Sequence, residues 1–186
     1  MRLLIAAVGK LKQGPERELF LHYLGRAEAA GRRVHLSPLA VVEVAESKAA
    51  TAKARKEAEG DALLAKVPSS HLLVALDRQG EALSSEALAA RLAKLRDGGA
   101  EGVAFIIGGA DGLSPAVLAK AKAISLGAIT LPHGLARLVL AEQVIAPVER
   151  CPESLLARER RAAAARQQPE ALVEPLRDLL GGERFD

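Results

Sequence analysis

The sequence predicts an α/β fold: a parallel sheet with helices on both faces. Three observations lead there. The runs Leu3–Val8, Leu72–Leu76 and Val103–Ile107 are uninterrupted apolar blocks, the pattern of strands buried on both sides. Between them lie segments with helical spacing and recognisable cap residues. The alternation runs through the first 146 residues, and strands alternating with helices build parallel sheets.

Leu3–Val8 reads as the first strand, ended by Gly9. Pro15–Ala29 has helical spacing through Leu19, Phe20, Tyr23 and Leu24, with Gly31 as its stop. Val34–Val44 is extended, interrupted by Pro38, and Ser47–Leu64 is an Ala/Lys/Glu-rich helix. Leu72–Leu76 is the third strand, followed by a turn at Asp77–Gly80. Ser84–Arg96 opens on Ser-Ser-Glu, in the manner of a capping box, and closes on Gly98-Gly99. After the strand Val103–Ile107 comes a helix from Ser114 to Ala123, with Ser114 as N-cap and Pro115 at the first helical position. A strand at Ala128–Leu131 and a last helix from Pro132 to about Ile145 complete the domain, residues 1–146.

The crossover Gly108–Leu113 sits at the carboxyl edge of the sheet, where open α/β folds bind ligands. Its two adjacent glycines permit close backbone approach. It is not a GxGxxG turn, and Asp111 stands where a phosphate charge would go, so a neutral or cationic ligand fits it better.

Composition narrows the function. A net charge of +3 permits an RNA partner without demanding one. The aromatics are Phe20, Tyr23, Phe105 and Phe185, too few for a protein that reads single strands by stacking bases. The lone cysteine, Cys151, excludes an internal disulfide framework and any CxxC metal site, so no metal is expected. No run reaches transmembrane length and the first ten residues lack a signal-peptide pattern, so the expectation is a cytoplasmic protein without a membrane partner. Residues 147–186 differ in character: they hold seven arginines and no lysine, whereas all nine lysines lie at or before Lys122. This Ala/Arg-rich tail reads as helical or disordered.

Four motifs in order, "VGKLK" at Val8–Lys12, "LLVALDRQGEALSSEALA" at Leu72–Ala89, "IGGADGLS" at Ile107–Ser114 and "TLPHGLARLVLAEQ" at Thr130–Gln143, resemble the RlmH-type methyltransferases of the SPOUT superfamily. Those enzymes methylate N3 of a pseudouridine in bacterial 23S rRNA. The resemblance covers roughly residues 1–143. It implies a SPOUT-type parallel sheet with a C-terminal deep trefoil knot, an exception to the usual rules of connection that periodicity does not reveal. It also implies S-adenosyl-L-methionine as methyl donor, bound bent in the knot, a homodimer paired through the last helix, and the assembled ribosome or its 23S rRNA as partner. Carried over position by position, the donor contacts fall on Leu76, Gly108, Leu126, Gly127, Ala128, Ile129, Thr130 and Leu131. A sulfonium cation and an adenine seeking backbone hydrogen bonds suit a glycine turn without basic side chains.

The donor's methyl group is already activated, so the protein must mainly align the acceptor nitrogen and manage its proton. The candidate catalytic residues are His133, Arg137 and Glu142. His133 and Arg137, four apart on one helix, share a face. For Arg137 the alternatives are a contact to RNA phosphate or ligand carboxylate and a helix ion pair. Lys10 and Lys12 are candidates for RNA backbone contact.

After Gln143 the sequence leaves the family pattern. Such enzymes continue with Tyr-Arg-Ala and end in Pro-Tyr-His-Arg/Lys, whereas this chain has no tyrosine after Tyr23 and no histidine after His133. Loss of one base from a Val-Tyr-Arg-Ala reading gives Val-Ile-Ala-Pro, which is Val144–Pro147 as it stands. Three readings therefore stay open. They are an rRNA methyltransferase, a catalytically impaired S-adenosylmethionine- or ribosome-binding module, and, by fold analogy alone, a Rossmann or flavodoxin-like oxidoreductase. The last lacks a suitable phosphate turn after the first strand.

Overall fold

The computed structural model describes the backbone of residues 1–150 and the side chains of residues 1–144. Five strands, β1 (Arg2–Val8), β2 (Leu39–Val44), β3 (His71–Ala82), β4 (Gly102–Ile107) and β5 (Lys122–Ser125), form one sheet in the order β2-β1-β4-β3-β5, and every neighbouring pair is parallel. The helices are α1 (Pro15–Arg33), α2 (Ala52–Leu64), α3 (Ser85–Asp97), α4 (Pro115–Lys120) and α5 (His133–Arg150).

The two central strands carry the core. Residues 3 to 8 of β1 and all of β4 are buried. Leu4, Ala6 and Val8 of β1, with Ala104 and Ile106 of β4, pack against Leu63 of α2 and Val117 of α4. The alternate residues Leu3, Ile5, Val103 and Phe105 are equally buried, and the other helices close that face, α5 contacting α1, α3, β1 and β4. Burying one such Leu, Ile or Phe contributes about 1.5–3 kcal/mol. A surface ion pair such as Lys53–Glu57 contributes about 0–1 kcal/mol, so the apolar sandwich decides the fold.

Caps fix where the helices begin. Thr51, Ser84 and Ser114 each accept a backbone N–H three residues on, at 3.1, 3.2 and 3.3 Å. Glu28 of α1 accepts the Leu39 N–H at 2.7 Å and the Ser37 hydroxyl at 3.0 Å, tying α1 to the start of β2. Those bonds hold its carboxyl below the usual glutamate value.

Several boundaries differ from the sequence expectation. The helix α1 runs past Gly31 to Arg33; Gly31 is not its stop but makes room for the Leu36 carbonyl, which a Cβ there would overlap. Within Val34–Val44 only Leu39–Val44 joins the sheet. The helix α2 starts at Ala52 rather than Ser47, with Thr51 as its N-cap. The strand β3 continues through the expected turn at Asp77–Gly80 to Ala82. The last strand is Lys122–Ser125, not Ala128–Leu131. That run is a loop, with Ile129 79% exposed and Gly127 at φ +125°. Strand pairing with β3 overrides helix propensity in the Ala-Lys-Ala-Lys stretch, so α4 ends at Lys120 instead of Ala123. The helix α5 extends beyond Ile145 to Arg150, and the remainder of the expected tail, residues 151–186, lies outside the described residues.

Gly80 is the tightest point of the β3–β5 contact. A Cβ there would lie 2.6 Å from the backbone N and C of Ile124. Gly80→Ala is expected to destabilise the protein by about 1–3 kcal/mol, as overpacking does. Thermal denaturation should show Tm falling by several degrees, whereas an unchanged Tm would mean that β5 moves aside freely.

Candidate active site

The carboxyl ends of β3, β4 and β5 open into one cleft of about 590 Å³. Three backbone segments form it: Leu76–Arg78 after β3's first half, Ile107–Leu113 after β4, and the β5–α5 loop from Ser125 through His133, except Ala128. Each is shaped by its own local chemistry.

The β4 turn folds back on itself. Gly109 and Gly112 form an isolated bridge, with the Gly112 N–H donating to the Gly109 carbonyl at 3.0 Å. A Cβ at Gly108 would lie 2.8 Å from the Gly112 carbonyl carbon, so this glycine is required by the turn's own crossing. In the β5–α5 loop, the Ser125 hydroxyl donates to the Gly127 carbonyl at 3.0 Å and accepts the Gly127 N–H at 3.2 Å.

The helix α2 holds the β4 turn from outside. Arg55 grips Asp111 with two bonds, Nε to Oδ2 at 2.7 Å and Nη2 to Oδ1 at 3.2 Å, while its Nη1 donates to the Ala49 carbonyl at 3.1 Å. Hydrogen bonding to Arg55 lowers the Asp111 carboxyl below its usual value. Four residues on, the buried Glu59 accepts the Ser47 N–H at 2.9 Å, and its other oxygen lies 2.8 Å from where a Cβ on Gly109 would stand. The acidic residue of the turn is thus matched by a cation from a distant helix, which the turn's own sequence did not announce.

Of the expected donor contacts, Leu76, Gly108, Leu126, Gly127, Ile129, Thr130 and Leu131 line the cleft, and Ala128 sits exposed in the same loop. His133 lines it too, at the first turn of α5. Arg137 does not reach it. Its side chain is fully buried, with Nη1 donating to Glu43 Oε1 at 2.7 Å and Nη2 to the carbonyls of Gly9, at 2.7 Å, and of Val8. Burial pushes this guanidinium below its usual value, against the pull of Glu43 and Glu46. Of the two alternatives for Arg137, the contacts present are those of an ion pair, made with Glu43 across elements rather than within the helix, and it pins α5 to the ends of β1 and β2. Its target lay 94 residues away, which helix spacing cannot reveal.

Glu142 is not among the residues that line the cleft; its Oε2 accepts from Gln143 Nε2 at 2.7 Å, and Gln143 Oε1 accepts the Ser85 hydroxyl of α3 at 2.6 Å. Lys10 and Lys12 are exposed on either side of the buried Leu11, whose N–H donates to the same Glu43 Oε1 at 3.0 Å. Gly9, read from sequence only as a strand end, is where these groups converge. It has φ +81°, and a Cβ there would lie 2.8 Å from Glu46 Oε1 and 3.3 Å from His133 Nε2.

A parallel sheet with a glycine turn and a ligand-sized cleft at its carboxyl edge is common to many α/β enzymes, and similarity narrows the choice. Residues 1–146 match the family described as "Predicted SPOUT methyltransferase", and the chain belongs to that family. Proteins named ribosomal RNA large subunit methyltransferase H from Xanthobacter autotrophicus and Rhizobium meliloti are 50% and 48% identical to it. Each match spans 145 residues, 77% of this chain and 91% of the relative. Within the family the chain is therefore of the RlmH type.

If Arg137 is structural, removing its charge must cost stability before it costs binding. Arg137→Met leaves Glu43 without its cation and the Val8 and Gly9 carbonyls without the guanidinium donor, and is expected to cost about 3 kcal/mol. That corresponds to a fall in Tm of about 10 °C, checked by thermal denaturation. Full stability with lost activity would instead mark a residue that acts directly in the reaction.

Proposed function

We propose that this chain transfers a methyl group from S-adenosyl-L-methionine to N3 of a pseudouridine in 23S rRNA, within the assembled ribosome. The observation that carries the reading is the identity of about half over nine-tenths of relatives named for methylating large-subunit rRNA. A deep trefoil knot, the family's mode of bending the donor, belongs to the same proposal, as do a cytoplasmic location and a homodimer.

The cleft suits such a donor. Its volume falls within the usual range for small-molecule sites. Asp111, the acidic residue of its glycine turn, is engaged by Arg55, and the loops at Leu76, Gly108 and Leu126–Leu131 present backbone groups for an adenine and a ribose. When bound, the donor supplies a methyl group on a cationic sulfur.

The chain's own residues then have two tasks. The cleft walls hold the acceptor nitrogen in line with the methyl group, a positioning effect that can lower a barrier by several kcal/mol. Methylation of N3 must release its proton, and His133, whose imidazole lies in the cleft lining, would accept it. A correctly placed base contributes about 10²–10⁴-fold. Arg137 and Glu43 position the start of α5 that carries His133. Lys10 and Lys12 meet RNA phosphate.

Calorimetry with S-adenosylhomocysteine should show one site per chain. Gly108→Val should abolish it, because the branched side chain would break the turn's crossing at Gly112. Tritiated S-adenosylmethionine with ribosomes from cells lacking the methylation then tests transfer. The altered ending of the sequence favours a second outcome: intact binding with transfer slowed at least about a hundredfold, restored by grafting Tyr-Arg-Ala…Pro-Tyr-His-Arg after Val144. No binding by the wild type would refute the donor assignment.

The homodimer is assigned to the exposed side of α5. Leu135 is 37% exposed, and Leu138 and Val139 are half-buried beside α1, where Leu19 is 45% exposed. Light scattering at micromolar concentration should give twice the chain mass, and a monomer would overturn the pairing.

A further inference from the structure

We propose that Arg78 is a phosphate contact for the substrate RNA, presented at the rim of the cleft by a bulge in β3. The inference rests on the reading of the protein as an RNA methyltransferase, and it assigns a residue that neither the motifs nor the similarity singled out.

The bulge follows from how β3 meets β5. Ile124 is paired with Leu76 on one side of the irregularity and with Glu81 on the other, so Asp77–Gly80 has no place in the ladder and is pushed outward. Both ends of the extruded segment are fixed. On the incoming side Asp77 Oδ1 accepts the Gln79 N–H at 2.8 Å. On the outgoing side Gly80 is pressed against the backbone of Ile124, and Glu81 accepts two bonds from Arg91, at 2.8 and 2.9 Å. Arg78 lies in this braced loop, lines the cleft, and is exposed. It has no ion-pair or hydrogen-bond partner among the described residues.

The carboxylates near it do not hold its guanidinium in an ion pair. Asp111, across the cleft, pairs with Arg55, and Asp77, which keeps its charge, turns an oxygen to the Gln79 N–H; neither forms an ion pair with Arg78 among the described residues. Sheet order supplies the second argument. Because β4 lies between β1 and β3, the loop bearing Lys10 and Lys12 and the loop bearing Arg78 flank the glycine turn on opposite sides. Their strand ends are about 10 Å apart, two strand spacings. Exposed cations on both banks of a cleft attract a polyanion that crosses it, whereas a buried carboxylate of a small ligand calls for a cation inside the cavity. A guanidinium also matches a phosphate with two parallel donors.

The test uses the full chain saturated with S-adenosylhomocysteine and measures its affinity for ribosomes lacking the methylation at several salt concentrations. Arg78→Ala should weaken ribosome binding about tenfold, as loss of one charge-assisted hydrogen bond does. It should also reduce the slope of log K against log salt by about 0.7–0.9, one phosphate contact. Arg78→Lys should keep the slope and recover part of the affinity. Affinity for S-adenosylhomocysteine and Tm should not move. Weaker S-adenosylhomocysteine binding by Arg78→Ala would assign the contact to the donor's carboxylate and overturn the proposal. Wild-type ribosome binding that Arg78→Ala leaves unchanged, in affinity and slope, overturns the RNA contact alone. A wild type that binds no ribosomes overturns the substrate reading and this contact with it.

Discussion

The pairing of β5 along β3 is the constraint on which the site depends. β5 has only four residues and takes its place at the sheet edge by bonding to β3 on both sides of a bulge. That pairing brings the loop after β5 beside Leu76 and the glycine turn after β4, so three segments distant in sequence share one cleft. It ends α4 after six residues and leaves Ala128–Leu131 as loop rather than strand. Without it, the residues that resemble donor contacts would be scattered along a helix and an edge strand.

A second device sets the other wall. Arg137 is the largest fully buried side chain among the described residues, and a buried guanidinium persists only with partners that offset its lost hydration. Glu43 and the carbonyls of Val8 and Gly9 are those partners. The same Glu43 oxygen accepts the Leu11 N–H, so one carboxylate fixes both the start of α5 and the lysine-bearing loop after β1. Breaking a pair of this kind leaves an uncompensated buried charge, so the contacts of Arg137 hold α5 to the sheet.

Local charge is arranged in the same way, by matching across long sequence distances. Asp111 made the glycine turn look suited to a cationic ligand, and Arg55 cancels that charge from α2. The ligand preference of the cleft then comes from backbone groups and shape more than from a fixed negative charge. Arg78, unpartnered in its bulge among the described residues, places an exposed cation at the rim.

The sequence by itself determined the order of strands and helices, the buried central strands and the starts of α1, α3 and α4. These rest on local causes: unbroken apolar runs, serine caps, proline at the first helical position, and glycines that permit the β4 turn. Its family motifs also named seven residues that converge in the cleft, and His133 beside them. Tertiary structure alone decided the rest. Whether Lys122–Ser125 is strand or helix depends on an edge of β3 that local propensity does not contain. Whether Arg137 meets solvent or a carboxylate depends on Glu43, 94 residues earlier, and whether Asp111 carries free charge depends on Arg55. Local signals are set by neighbours within a turn or two of chain, whereas ion pairs and edge pairings are set by whichever surfaces the completed sheet brings together.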